Sequence, residues 1–459
     1  MNFMTLFAEA QDRGVRVGLI GAGEFGLSLI SQAAHVRGLD IIASVDRDLD
    51  QACERISTLG LTVARAPSRS AARTAAASGH HVVTDDFDLL LELRPDIIVE
   101  ATGHADDGAR HALRAIAAGI GVVMVSKETE CVAGPLLAHK ARMAGVAYTM
   151  VEGDQPALLT SLISRARVLG LPIIAAGKSS EYDYVFDPDT GDVTWTDQTT
   201  TAPEIANLWD LGAGRRRVLA ARSRALEDLP QRTVPDYCEM VLAINATGLQ
   251  PDRPDFHAPL TRANELQDVY VPAEDGGILS GPGKIDVFNN LRRPDETSFA
   301  GGVFVVVSWP DPATGLVFRG KGIPTSRDGR YGVMYNPSHL LGVEAPLCIL
   351  AAARLGNQYV GPDYRPRVDL IARAGEDLPA GTQLTEVGVR HAIPGLVPEI
   401  QPARGVAGEA PLPYFMAVGC TLRRPVAKGR SIVRDDVESP ADSDLWSLRA
   451  EMDRVFVLT

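Results

Sequence analysis

Two groups of residues in this chain could do chemistry: a glycine-rich run near the N-terminus, and a few lysines, carboxylates and a histidine where apolar segments end. Gly21-Ala22-Gly23-Glu24-Phe25-Gly26 follows the β-rich run Val15–Ile20 and opens an amphipathic helical pattern. In that setting Gly21 permits a tight turn, Gly23 lets the backbone approach a pyrophosphate, and Gly26 allows close helix–strand packing. The amides of Glu24 and Phe25 then face the phosphates at the positive end of a helix dipole. Asp46 closes the next apolar run, 25 residues after Gly21. A carboxylate there holds ribose hydroxyls and repels a 2′-phosphate, whereas Arg47 beside it can stack on adenine or pair with that phosphate. The expected cofactor is NAD or NADP, with the choice open.

Further candidates stand at later strand ends. In a doubly wound sheet, ligands sit outside the carboxyl ends of the strands. Glu100-Ala101-Thr102-Gly103-His104 therefore places Thr102 and Gly103 at the nicotinamide end. Lys127, in Ser126-Lys127-Glu128, is expected to bind a cofactor ribose or to point its charge at a substrate oxygen. Glu152 and Asp154 face the same side if their strand persists. They then suit acid/base work, hydroxyl binding or a divalent cation, although Asp154 equally suits a helix N-cap ahead of Pro156. Lys178, in Gly177-Lys178-Ser179-Ser180, can stabilise negative charge building on a carbonyl oxygen and deliver a proton. His339 is expected in the first turns of a helix over Pro337–Leu355, where the dipole disfavours an imidazolium and leaves a neutral donor or acceptor. Only six of the 45 cationic residues are lysines, so Lys127 and Lys178 stand where a compact ammonium is wanted.

These positions need elements to hold them. A chain of 459 residues, 45% hydrophobic and 22% charged, can bury large cores over two to four domains. Its first 180 residues alternate strand-like runs with helical patterns, which implies βαβ units and a parallel sheet. The fold class is α/β: a Rossmann-type doubly wound domain over 1–155, an α+β substrate domain over 156–360, and a small β-rich domain over 361–459. The 337–355 helix is expected to pack back on the first domain. Residues 179–300, rich in Asp, Pro, Arg and Gly, are expected to carry long loops. The third domain is expected to fold as its own unit outside the catalytic core, with the run Leu412, Tyr414, Phe415 and Met416 suited to docking or to its own interior.

Composition limits the partners. A formal charge of -13 argues against a global grip on nucleic acid or anionic lipid. The longest apolar run, Ala115 to Val125, is too short to span a membrane. The N-terminus lacks the basic and apolar regions of a secretory signal. Five cysteines lie far apart with no CxxC pair, so reduced thiols in a cytoplasmic protein are expected, no metal ligand is assigned, and a zinc site has no support. The partner is a small-molecule substrate; homo-oligomerisation is left open.

With these residues in place, the chain resembles homoserine dehydrogenase-like oxidoreductases with a C-terminal SAF domain, and among them the deoxyxylulose-phosphate reductoisomerase-like group. The blocks GLIGAGEFG, VEATG, MVSKE, VEGDQPALL, AAGKSSEYD and SRDGRYGVMYNPSHLLGVE carry the resemblance, with RAGEDLPAGTQL and PLPYFMAVGCTLRRPVAKGRSIVRDDV for the SAF-like part. It implies nicotinamide-dependent reduction of a small polar carbonyl, Lys127 at the cofactor–substrate junction, and Lys178 and His339 in the substrate pocket. Ser126-Lys127 departs from the Asn-Lys usual in homoserine dehydrogenases, which argues against homoserine. Asn336 stands where a phosphate-holding cation would precede the Pro-x-His segment. The leading expectation is an NAD(P)-dependent oxidoreductase of a small polyhydroxylated carbonyl or alcohol. The alternatives are a reductoisomerase, with Mg²⁺ held by Glu152 and Asp154, and a non-catalytic nicotinamide-binding redox sensor.

Overall fold

The seven apolar runs nearest the N-terminus become one parallel sheet: β1 (Val15–Ile20), β2 (Leu39–Val45), β3 (Val63–Arg65), β4 (His81–Thr84), β5 (Ile97–Glu100), β6 (Gly121–Met124) and β7 (Tyr148–Met150). The computed structural model describes residues 2–356, 360–388 and 391–458. The strand order is β3-β4-β2-β1-β5-β6-β7, so the winding reverses between β1 and β5. Val15, Val17 and Leu19 of β1 and Ile97, Ile98 and Val99 of β5 are almost wholly buried, as befits central strands covered on both faces. Short helices α1 (Phe3–Leu6) and α2 (Ala8–Arg13) precede β1. Crossovers are made by α3 (Glu24–Ala33), α4 (Leu49–Ser57), α5 (Arg69–Ala77), α6 (Phe87–Glu92), α7 (Ala105–Ala117) and α8 (Lys127–Ala144). The Ala-rich stretch at 64–79 thus supplies an edge strand and a helix.

Helix α9 (Gln155–Val168) leads into a second, mixed sheet, ordered β11-β10-β9-β14-β8-β15-β16. Its strands are β8 (Ile173–Ser179), β9 (Tyr184–Phe186), β10 (Asp192–Trp195), β11 (Gln198–Thr201), the two-residue β12 (Gln250–Pro251) and β13 (Leu260–Thr261), then β14 (Lys284–Arg292), β15 (Val303–Ser308) and β16 (Tyr331–Asn336). Between them lie α10 (Arg215–Ala225), α11 (Val234–Thr247), α12 (Leu266–Val269) and α13 (Pro312–Gly320). The expected long loops of 179–300 are present, as at 252–259, but strands and helices of the second sheet stand between them. Strand β14 hides in the sequence because Asp286, Asn289 and Asn290 interrupt its apolar pattern. All three are buried there, Asp286 accepting the His257 and Ala258 amides and Asn289 donating to the Ala258 carbonyl.

The helix expected over Pro337–Leu355 begins only at Ala345, as α14 (Ala345–Leu355). Gly342 interrupts it: its φ is +73°, and a β-carbon there would lie 2.6 Å from the Ser28 side chain. Ser28 Oγ donates to the Leu341 carbonyl at 2.7 Å, pinning this turn to α3. Helix α14 then returns to the first sheet against α2, α3, β6 and β7.

After residue 360 come the antiparallel pair β17 (Val368–Ala374) and β18 (Leu396–Pro402), the short pair β19 (Thr421–Leu422) and β20 (Val437–Glu438), and a final helix, α15 (Asp444–Val455). This segment does not stand apart. Helix α15 packs on α7 and α8, and Leu412, Tyr414, Phe415 and Met416 are buried, the Tyr414–Met416 turn lying against α8. One continuous apolar core runs from Val122 and Ile98 through Leu136, Leu137 and Met240 to Leu370, Ile432 and Leu448.

Candidate active site

The glycine loop lies at the reversal point of the first sheet. Gly21 has φ +96°, and a β-carbon on it would stand 2.4 Å from the Ala101 carbonyl oxygen, so only glycine lets β1 and β5 approach there. A β-carbon on Gly26 would meet the Gly21 carbonyl at 2.2 Å. At Gly23 such an atom would meet nothing within 4 Å. The space in front of Gly23 belongs to a cavity of about 560 Å³ lined by Gly21, Gly23, Asp46, Arg47, Thr102 and His104, among others. Gly23 also precedes α3, whose first residues are Glu24 and Phe25. This open, amide-rimmed cradle fits a dinucleotide pyrophosphate.

Asp46 accepts the Ala22 amide at 2.8 Å through one oxygen and the Asp48 amide at 3.0 Å through the other, tying the loop to the end of β2. Arg47 and Arg55 line the same cavity, and Arg55 was not foreseen from the sequence. Thr102 Oγ1 donates to the fully buried Glu100, and the Gly103 amide donates to Ser126 Oγ at 2.8 Å. The β5 turn is thereby joined to the start of α8, and Lys127 is the first residue of that helix.

Lys127 donates to Glu239 at 2.5 Å and lies 3.4 Å from Asp154. Lys178 pairs with the other Glu239 oxygen and with Asp236 at 2.8 Å. Asp236 further accepts Ser180 Oγ at 2.9 Å and Thr233 Oγ1 at 2.7 Å. Burial opposes charge on both ammonium groups, yet the facing carboxylates prevail and hold Lys127 and Lys178 above their ordinary range. Burial likewise opposes ionisation of Glu239, but Lys127 and Lys178 hold its carboxyl down at about 2. The cluster is a fixed array of charges. Its lysines differ in access: the Lys127 side chain is 25% exposed and that of Lys178 only 1%. Lys178, expected as an electrophile or acid, is sealed beneath Glu239.

Glu239 and Asp236 were missed in the sequence. They lie three apart on α11, a helix signalled by Thr233, by Pro235 in its first turn and by Gly248, which takes φ +76° past its end. The Glu152/Asp154 expectation needs correction, because β7 stops at Met150 and Gly153 turns the chain at φ +88°. Asp154 caps α9 and pairs with Lys127, while the Glu152 amide donates to Cys348 Sγ at 3.3 Å. Among the described residues, no group of three or more His, Cys, Asp or Glu is arranged to hold a metal ion.

His339 lies in the irregular stretch before α14, outside any helix dipole, with Nδ1 3.1 Å from the Gly301 carbonyl oxygen. Glu181, just past β8, is another residue not foreseen. It stands at the rim within electrostatic reach of Glu239, Lys178, Lys127 and His339; surrounding protein, then the Glu239 charge, raise its carboxyl above the usual range.

Residues 22–150 match the homoserine dehydrogenase NAD-binding domain, and residues 233–345 match the catalytic domain of oxidoreductase DRL. The second match contains Asp236, Glu239 and His339. No curated protein matches the chain. Among solved structures, the WlbA dehydrogenase from Bordetella pertussis shares 18% identity over 39% of this chain and 49% of its own, with a TM-score of 0.26. UDP-N-acetylglucosamine 3-dehydrogenase GnnA from Acidithiobacillus ferrooxidans shares 16% over 39% and 50%, at 0.26. Dihydrodipicolinate reductase from Paenisporosarcina sp. TG-14 shares 10% over 76% and 98%, at 0.38. The chain spans about half the length of the first of these structures, and at such scores the likenesses carry no argument about chemistry. The two matched segments are more specific: one is similar to a homoserine dehydrogenase NAD-binding domain and the other, later in the chain, to the catalytic domain of oxidoreductase DRL.

Proposed function

We propose that the protein is a dehydrogenase or reductase that interconverts a small polyhydroxylated carbonyl compound and its alcohol, using NAD(H) or NADP(H). The observation that carries this reading is the joining of Lys127, at the carboxyl end of β6, to Glu239 and thence to Lys178. The dinucleotide would be held by Gly21, Gly23, the amides of Glu24 and Phe25, Gly26, Asp46, Arg47, Thr102 and Gly103. When bound, the nicotinamide supplies or accepts the hydride.

The chain's own groups meet the charge that the reaction builds. A carbonyl oxygen becoming an alkoxide is stabilised by a preorganised cation, and Lys127, the more open of the two lysines, is the one that reaches it. Lys178 acts from behind by fixing Glu239, which in turn aims Lys127. Glu181 and His339, at the rim of the same cluster, exchange the proton with solvent. Asp154, held by Lys127 and the α9 cap, accepts a substrate hydroxyl.

The test is nicotinamide absorbance at 340 nm with a panel of hydroxylated aldehydes and ketones, with and without EDTA. The reading expects turnover that survives the chelator, and a loss of about 10²-fold in kcat/KM for Lys127→Ala. Turnover abolished by EDTA would favour a reductoisomerase. Nucleotide binding with no turnover across the panel would favour a redox sensor.

A further inference from the structure

We propose that the C-terminal segment completes the cofactor site, with His391 as a positioning residue that bridges Glu386 of its own segment to Glu128 of α8. This inference rests on the placement of the nicotinamide end at Thr102, Gly103 and Lys127. His391 Nε2 lies 3.2 Å from Glu128 Oε1, and Nδ1 contacts Glu386. The ring also lies against the β5 turn, since a β-carbon on Gly103 would stand 3.4 Å from His391 Cε1. Glu128 is buried and directly follows Lys127. The bridge thus spans from a segment outside both family matches to the residue beside the reacting-centre lysine.

The local backbone is built to hold this ring in place. His391 takes φ +53°, a conformation uncommon for a residue with a side chain. The Val387 amide donates to the Ala392 carbonyl at 2.8 Å, and Tyr414 Oη accepts the Ile393 amide at 2.9 Å. These bonds hold Val387 on one side of His391 and Ile393 on the other. Such strain persists where the surroundings over-determine it, and positions that carry it cluster at ligand clamps.

A histidine with a carboxylate at each ring nitrogen bridges both only as an imidazolium, because the neutral ring has one donor. The charged groups facing it are Glu386 on its own segment, and Glu128 and Lys127 on α8. Burial and Lys127 disfavour the charge, while Glu386 and Glu128 outweigh them and raise His391 above 6.5. The bridge is therefore intact below the ordinary histidine range and is lost as pH rises through the raised value. Once it is lost, Glu128 and Glu386 face each other uncompensated, and the nicotinamide end loosens.

The experiment is titration of NADH and NADPH against the full-length protein by nicotinamide fluorescence, from about pH 6 to pH 9. It compares wild type, His391→Gln, His391→Arg and Glu386→Gln, with circular dichroism as the check on folding. Wild-type affinity is expected to fall as pH rises. His391→Gln is expected to bind about tenfold more weakly at the acid end, the equivalent of one charge-assisted hydrogen bond, and to lose the pH dependence. His391→Arg, permanently charged, is expected to keep tight binding at the alkaline end. Glu386→Gln, the mildest change, is expected to move the midpoint to lower pH. A His391→Gln or His391→Arg profile that overlays the wild type overturns the bridge alone. Wild-type protein that binds neither nucleotide at any pH overturns the oxidoreductase reading beneath it.

Discussion

Glu239 is buried between two lysines, and together with Asp154 beside Lys127 and Asp236 beside Lys178 it keeps them charged and aimed. Removing one member of a buried charge array leaves the others uncompensated, at a typical cost of about 3–5 kcal/mol. Glu239→Gln is therefore expected to lower stability by about 3 kcal/mol at neutral pH. The sign of the pH effect follows from its depressed carboxyl. Its contribution is fully present above the ordinary 4.5 and fades as pH falls through about 2. Denaturant unfolding at several pH values should show the gap between wild type and Glu239→Gln shrinking over that window. An equal gap at neutral and strongly acid pH would mean that Glu239 acts by packing rather than by charge.

At the scale of elements, α8 does the most. Its first residues, Lys127 and Glu128, face the site, and its second buried acid, Glu130, accepts hydroxyls from Tyr148 of β7 and from Tyr364 at 2.6 Å. Burial raises the Glu130 carboxyl to about 7 against the pull of those two hydroxyls. A raised carboxyl favours the folded state below 4.5, and that benefit is lost as pH rises through about 7. Glu130→Gln is expected to become progressively more stable than wild type over this range, with a gain of about 2 kcal/mol at the upper end. Melting curves across pH that run parallel for the two proteins would contradict this. Lys127, Glu128, Thr129 and Glu130 look solvent-facing by composition, which hides the first turn of α8 from a reading of the sequence. They are buried or half-buried because they serve the site and its core. The same masking explains α11, whose Asp236 and Glu239 lie inward, and β14, whose polar residues are satisfied by neighbours. The cradle and Asp46 were legible because a glycine loop between strand and helix has few alternative meanings. The far half of the site was not, because its carboxylates come from a helix distant in sequence and reach the lysines only through the packing of α11 on α8 and α9.

For the molecule as a whole, the parallel sheet supplies the cradle, the mixed sheet supplies Lys178, and α11 carries the carboxylates across to Lys127. The segment after 360 shares the apolar core beneath α7 and α8 and brings His391 to the site. The order of these parts makes the glycine cradle the feature on which the rest depends. Calorimetric titration of NADH and NADPH into wild type and Gly23→Val tests it most directly. Because a side chain at Gly23 would enter open cavity rather than packed protein, the variant should fold with a Tm within about 2 °C of wild type and lose at least about 100-fold in affinity for the nucleotide that wild type binds. Wild type that binds neither nucleotide, or a folded Gly23→Val that binds as tightly as wild type, would contradict the account.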